Sequence, residues 1–407
     1  MYQLLQGLRV VECASFIAAP TCSLHLQQMG AEVIRIDPIG GGPDFHRWPL
    51  AASGNSLYWE GLNKGKRSVA VDFSSPEGRE LVAQLVCAPG ESGGLFVTNF
   101  PAEGFLSHER LRQRRADLIT TRVMGWADGT PAVDYTVNAA VGVPYMTGSP
   151  ESSGEPVNHV LPAWDLLAGA YAAFALLAAE RHRRDTGQGQ EVRVPLSDIA
   201  IASLGHLGQI AEVHDGADRP KMGNTLFGAF GRDFATVDHH RLMVVAITPR
   251  QWTGLVTALG LGDAVSAIEA ALGVSFKQDE GLRFQHRELL TPLVEAAIAR
   301  RHADDLGAAF DANGVCWGPY RTLKSALSDD PRLVAANPLF APVAHPSGLT
   351  YPTPGAAATL LQSERSQARR APVLGEHTDQ VLAELLGLSD GQIGRLHDSG
   401  RVAGPQQ

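Results

Sequence analysis

The chain has 407 residues, 44% hydrophobic and 19% charged, with 34 Lys+Arg against 43 Asp+Glu and a formal net charge of −9. That length can bury a sizeable core and exceeds one typical domain, and an acidic balance with both signs interspersed gives no basic footprint for nucleic acid or an anionic membrane surface. The opening MYQLLQGLRVVECASF lacks a charged segment ahead of an apolar one, and no stretch approaches the ~18 consecutive apolar residues of a membrane span. Neither nucleic acid nor membrane is therefore an expected partner. Cys13, Cys22, Cys87 and Cys316 have no CxxC spacing, which suits reduced thiols and a cytoplasmic location and offers no metal site.

In chain order, residues 8–13 read as a short buried strand, 21–29 as a helix closed by Gly30, and 31–37 as a second strand, a parallel βαβ unit. Further strands are expected at 68–73, 94–99 and 118–124, with a helix over 76–86 whose Pro-Glu opening suits a first turn. A long alanine-rich helix runs from Asp165 to a glycine stop at Gly187, and 191–196 alternates as a strand. From Gly223 the texture changes to two strands around a turn and then the helical TPRQWTGLVTAL, the start of a small α+β region ending near Arg321. The proline-rich stretch from Ser328 to Ala357 reads as an extended connection, and two amphipathic helices follow it. The fold class is α/β with a second, smaller domain.

The turn after the first strand, ASFIAAP, has no glycine where a GxGxxG would let the backbone reach a pyrophosphate, so a dinucleotide cofactor loses its support. No HExxH, GxSxG or P-loop occurs. Ile39-Gly40-Gly41-Gly42-Pro43 can approach a phosphate or simply form a turn, and Asn63-Lys64-Gly65-Lys66-Arg67 is either a patch for a phosphorylated cofactor or a solvated loop. Asp165 stands at the mouth of a helix that carries no further charge until Glu180 and is expected to be buried. It is either a first-turn acid or a desolvated nucleophile kept ionised by the helix dipole and free N–H groups; the residues alone leave both readings open.

Six blocks, GLRVVECASFIAAP, GAEVIRIDPIGGGPD, NKGKRSVAVDFSSPEGRELV, LFVTNFPAEG, WDLLAGAYAAFALLAAERHRRDTGQGQ and PVLGEHTDQVLAELLGLS, cover essentially the whole chain. In order and spacing they resemble the family III CoA transferases. The resemblance implies a Rossmann-like large domain with a parallel sheet and a smaller α+β domain, joined by long linkers in an interlaced homodimer. Its implied boundaries are 1–197 for the first part of the CoA-binding domain, 198–224 for a linker, 225–322 for the small domain, 323–350 for a second linker and 351–407 for the return. It implies an acyl-CoA substrate, with CoA part of the substrate and no permanently bound cofactor. Asp165 falls on the family's nucleophile, and Ser15, Phe16, Ile17, Ala18, Asn63, Lys64, Asn99, Phe100 and Gly125 on its CoA site. Asp134 falls where some members carry an acid near the nucleophile. CoA would move between the two carboxylates of one dicarboxylic acid or, alternatively, between two acids.

The departures narrow this. Val133 stands where racemase-like members place a histidine base, Ile17 where formyl-CoA members carry glutamine, and Pro38 where they carry arginine. Asn99-Phe100-Pro101-Ala102-Glu103 lacks the arginine of the family's Asn-Phe-Arg-Pro-Gly, which makes Arg35, Lys66 or Arg67 the candidate phosphate cation. Arg47, Arg232 and Arg321 are candidates for a spare carboxylate, and free N–H groups at the start of the alanine-rich helix, or Phe227–Asp233, for an oxyanion hole.

Overall fold

The computed structural model describes residues 1–152 and 154–405. From the N-terminus, β1 (Arg9–Cys13), α1 (Ala18–Gln28), β2 (Glu32–Pro38), α2 (Leu57–Leu62), β3 (Arg67–Val71), α3 (Pro76–Val86), β4 (Leu95–Thr98), α4 (His108–Arg112), β5 (Ile119–Met124) and α5 (Asp134–Ala140) alternate strand with helix. Each turn has a local cause: at α3, Ser75 accepts the Gly78 N–H as N-cap and Pro76 fills the first position. A short α6 (Val143–Met146) precedes α7 (Ala163–Thr186), which ends on Gly187 at φ 73, and β6 (Glu191–Pro195), α8 (Leu196–His206) and α9 (Gln209–His214) follow.

Then come β7 (Phe230–Ala235), β8 (Arg241–Ala246), α10 (Pro249–Leu259), α11 (Gly262–Leu272), α12 (Glu280–Gln285), α13 (Arg287–Ile298), α14 (Ala303–Asn313), β9 (Cys316–Pro319) and α15 (Leu323–Asp329). The chain closes with β10 (Phe340–Ala344), β11 (Thr350–Pro354), α16 (Thr378–Leu386), α17 (Asp390–Asp398) and β12 (Val402–Ala403). Two compact units result: Met1–Val141 with Val160–Gly216 and 331–405, and Gly142–His159 with Ala217–Asp330.

The first unit is built on a seven-stranded sheet in the order β12-β3-β2-β1-β4-β5-β6, parallel except for β12. The 3-2-1-4-5-6 run is the doubly wound Rossmann order, in which ligands bind at the crevice where the order reverses. That reversal lies between β1 and β4, whose ends meet at the Cys13–Thr98 pair. On one face α1 and α7 cover the sheet through Ala18, Ala19, Cys22, Ala168, Ala172 and Leu176; on the other, α3 and α16 contribute Val82, Leu85, Val381 and Leu382.

Small residues let α1 and α7 approach closely. A Cβ on Gly169 would lie 2.7 Å from both Ala18 O and Thr21 Cβ. The expectation of a fully buried α7 is corrected: Leu167, Tyr171 and Phe174 are exposed. Alanine and glycine fill the side against α1 and the sheet, and the bulky side chains occupy the opposite side. By length and hydropathy α7 is the one helix among the described residues that could cross a membrane, yet its inner side belongs to this core.

Residues 340–354, read as extended connection, form the antiparallel hairpin β10–β11. Pro342, Pro352 and Pro354 are tolerated because both strands of a two-stranded ribbon are edges, where a missing N–H need not break a ladder. In the second unit, β7-β8-β9 is antiparallel and packs Phe230, Phe234 and Leu242 against Trp252, Phe276 and Phe310. A reciprocal Thr248–Gln251 cap starts α10, as the sequence TPRQWTG predicts.

Candidate active site

The loop leaving β1 at the sheet's reversal point is pinned from two sides. The Ser15 N–H donates to Asn99 Oδ1 at 3.1 Å and Asn99 Nδ2 donates back to Ser15 O at 2.9 Å. The Phe16 N–H donates to Asp44 Oδ2 at 3.1 Å. Phe16 has φ +66, a left-handed conformation that costs a bulky residue of order 1 kcal/mol and persists only when its surroundings impose it. Ile17 is the N-cap of α1 without a side-chain cap, and Ala18 is its first residue. Gly42 lets the glycine loop close on this turn, since a Cβ there would lie 3.2 Å from Asp44 Oδ1 and 3.3 Å from Ser15 Oγ.

Beneath the loop lies a fully buried charge cluster. Arg35 donates to Asp37 at 2.8 Å, Asp44 at 3.0 Å, Glu12 at 3.1 Å and Asn63 Oδ1 at 3.1 Å. Lys66 Nζ donates to Glu12 at 2.7 Å, Pro20 O at 3.0 Å and Asn63 Oδ1 at 3.0 Å. Two cations and three carboxylates thus meet out of water, which is tolerable only because each is paired. Asn63 belongs to this cluster. Lys64 is also buried; its Nζ donates to Gly61 O at 2.6 Å, and burial pulls its pKa down to about 8.

Asp165 sits in the first turn of α7, half-buried. One turn later Gly169 abuts Ala18 and Thr21, which brings the mouth of α7 beside the 15–18 loop. The nearly inaccessible Asp134 caps this mouth: its Oδ2 accepts the Trp164 N–H at 2.7 Å and the Asp165 N–H at 3.0 Å, while Oδ1 has no partner among the described residues. Burial, and secondly the Asp134 charge, push the Asp165 pKa up to about 7; the Arg47 cation opposes them. The expectation that free helix N–H groups keep Asp165 ionised is therefore corrected. Asp134 takes two of those N–H groups, the Leu166 N–H donates to Pro162 O, and the same N–H groups are not available as an oxyanion hole.

Arg47 Cζ lies 5.5 Å from the Phe16 ring centre and 5.3 Å from that of Tyr58. The Tyr58 hydroxyl is buried beside the Arg47 guanidinium with no acceptor for its proton among the described residues, and its pKa is pushed up to about 12, chiefly by burial. The loop after β4 is tied down by Arg122, which donates to Phe100 O at 2.5 Å, Pro101 O at 2.9 Å and Leu106 O at 3.2 Å. Gly125 follows β5 where only glycine fits: a Cβ would lie 2.3 Å from Ala132 N. Val133 is exposed as the N-cap of α5.

Three candidate phosphate cations are corrected. Arg35 and Lys66 are inaccessible and paired, so neither can meet a phosphate. Arg67 starts β3, at the opposite end of the sheet from the Ser15 loop, and pairs with Glu32 and Glu384. Arg232, Arg321 and Phe227–Asp233 belong to the second unit, where Arg321 pairs with Asp330 at 3.4 Å.

The profile of the family described as CoA-transferase family III matches residues 5–378. The chain belongs to that family. A family III relative, 2-methylfumaryl-CoA isomerase of Chloroflexus aurantiacus, is 50% identical over 409 residues spanning all of both chains. Succinyl-CoA:glutarate CoA-transferase of Homo sapiens is 27% identical across 98% of this chain and 90% of its own. Among solved structures, a CAIB/BAIF family protein from Brucella suis superposes with a TM-score of 0.76 and 26% identity, over 95% of this chain and 100% of that one. Of the residues that hold the loops of this candidate site, Asp44 and Arg122 escaped the sequence reading, because their partners, the Phe16 N–H and Arg35 for one and Phe100 O and Glu191 for the other, are brought together only by the fold.

Proposed function

We propose that this family III chain is an intramolecular CoA transferase that converts mesaconyl-C1-CoA (2-methylfumaryl-CoA) to mesaconyl-C4-CoA (3-methylfumaryl-CoA). The full-length 50% identity to the Chloroflexus 2-methylfumaryl-CoA isomerase carries this reading. Asp165 is the proposed nucleophile. A carboxylate whose pKa is raised to about 7 is more basic than an ordinary one, hence a better nucleophile, and is still substantially ionised at neutral pH.

In the proposed sequence Asp165 attacks the thioester carbonyl, giving a mixed aspartyl anhydride and CoA thiolate. The thiolate attacks the aspartyl carbonyl, which yields an aspartyl-CoA thioester and free mesaconate. Mesaconate turns, its other carboxylate attacks the aspartyl thioester, and the released thiolate takes the acyl group from the second anhydride. Asp165 is regenerated as a carboxylate. Ser15, Phe16, Ile17, Ala18, Asn99, Phe100 and Gly125 are assigned to the CoA wall, Asn63 and Lys64 to its underside, and Asp134 to the nucleophile's support. CoA enters and leaves as part of the substrate, and the sequence of steps calls for no metal.

The working form is proposed to be an interlaced homodimer in the cytoplasm. Exposed Leu167, Tyr171 and Phe174 on α7, with Leu207 and Val213 near α9, offer apolar surface for a second copy. The four unpaired cysteines support the compartment.

The test is Asp165→Asn with purified mesaconyl-C1-CoA and separation of the two thioesters. Interconversion should fall by several orders of magnitude with the fold intact, and hydroxylamine trapping during turnover should mark Asp165 in the wild type. A near-normal rate in the variant would remove the nucleophile. Labelled free mesaconate separates this reading from intermolecular transfer between succinyl-CoA and mesaconate or itaconate, the reaction type in the human relative's name: an intramolecular enzyme incorporates little label.

A further inference from the structure

We propose that Arg47, with the Tyr58 hydroxyl, is the anchor for the acyl group's free carboxylate, and so selects acyl-CoA thioesters that end in a second carboxylate. The inference rests on the proposed transfer reaction and assigns its substrate-holding residues.

Arg47 differs from the other cations of the first unit that could serve. Arg35, Lys66, Arg67 and Arg122 each meet a carboxylate within 3.1 Å, and Lys64 donates to a carbonyl. Arg47 has no carboxylate within 4 Å among the described residues, and it is exposed. Aromatic rings hold it instead, with Phe16 at 5.5 Å and Tyr58 at 5.3 Å. A guanidinium supported at its face keeps its in-plane N–H groups for a forked bond to a carboxylate.

Two further observations set the target beside the nucleophile. The Arg47 charge acts on Asp165, and Tyr58 feels the charges of both Arg47 and Asp165, so the three share one electrostatic neighbourhood. The Tyr58 hydroxyl is buried beside Arg47, which can only donate, and finds no acceptor for its own proton among the described residues, an expense that a bound carboxylate would remove. Its raised pKa keeps it a donor at any physiological pH.

The anchor also accounts for retention of the released acid. Whichever carboxylate is not joined to CoA sits on Arg47, so one cation serves both isomers. Exchange of ends requires only that the acid let go and turn, and a cation held by ring faces stays in place while it does.

The experiment compares Arg47→Met, Arg47→Lys and Tyr58→Phe with the wild type on two substrates: mesaconyl-C1-CoA, and tigloyl-CoA, which lacks the second carboxylate. The tigloyl readout is the partial reaction that leaves CoA on Asp165, trapped with hydroxylamine. Arg47→Met should lower kcat/KM for mesaconyl-CoA by about 10- to 100-fold, with Tyr58→Phe losing less and Arg47→Lys recovering part, while the slow tigloyl reaction changes little. Arg47→Met should also incorporate more labelled free mesaconate. Equal losses on both substrates would reduce Arg47 to an electrostatic neighbour of Asp165 and overturn the anchor, as would an unchanged mesaconyl kcat/KM. A wild-type enzyme that fails to interconvert the isomers sinks the transfer reading, and the anchor with it.

Discussion

Asp134 holds the Asp165 backbone N–H at 3.0 Å with the same carboxylate whose charge raises the Asp165 side-chain pKa. One group therefore places the proposed nucleophile and tunes it. The two effects separate by substitution. Asp134→Asn keeps an acceptor oxygen for the Trp164 and Asp165 N–H groups but removes the charge, so the Asp165 pKa should fall and the acid limb of the pH–rate profile move down by on the order of one pH unit. Asp134→Ala should in addition lose the cap, at about 1 kcal/mol in a urea melt. An acid limb that stays in place in Asp134→Asn would leave Asp134 a cap and nothing more.

The raised Asp165 pKa also fixes a sign for stability. The folded state binds this proton up to about pH 7, whereas the unfolded chain releases it near the ordinary aspartate value of 3.8. Stability from this group is complete below pH 4 and declines as pH rises toward 7, by as much as ~4 kcal/mol. Isomerisation should rise with pH across the same window as the carboxylate forms. Asp165→Asn should accordingly melt higher than the wild type at pH 8 and at nearly the same temperature at pH 4. A variant less stable than the wild type at pH 8 contradicts the raised pKa.

Gly169 sets the distance between α7 and α1. In Gly169→Ala the new Cβ meets Ala18 O at 2.7 Å, and the backbone on both sides must move. The gain in helix propensity, about 1 kcal/mol, does not offset a clash of that kind in a packed core. Displacing the mouth of α7 by a fraction of an ångström should cut kcat by about 10- to 100-fold, because a misplaced nucleophile loses its attack geometry. KM for the acyl-CoA should change less. Steady-state kinetics and a crystal structure of the variant test this together.

The reach of the sequence differs from element to element. The βαβ opening, the Pro76-Glu77 start of α3, the Gly187 stop and the capped start of α10 are local signals and stand where the residues indicate, save that α1 begins at Ala18, ahead of the expected Thr21. Asp165 was legible as an acid at a helix mouth, but its pKa depends on Asp134, 31 positions away in sequence, on a different helix. Arg35 and Lys66 look in one dimension like cations available for phosphate; burial and three carboxylates brought together by β1, β2 and the glycine loop change that. The β10–β11 ribbon escaped because proline argues against strands in general, and a two-stranded ribbon is the exception. The exposed side of α7 escaped because composition counts apolar residues without saying which way they face.

The contrast between Arg35 and Arg47 bears on how this protein can change. Arg35 answers Glu12, Asp37, Asp44 and Asn63 at once, so removing any one partner leaves a buried guanidinium N–H without its acceptor, at about 1–3 kcal/mol, and those positions cannot drift freely one at a time. Arg47 is accessible and pairs with no carboxylate among the described residues, so a single replacement there strands no buried charge. Diversification toward other acyl groups has an open path at Arg47 and a narrow one at Arg35, twelve positions earlier in the sequence.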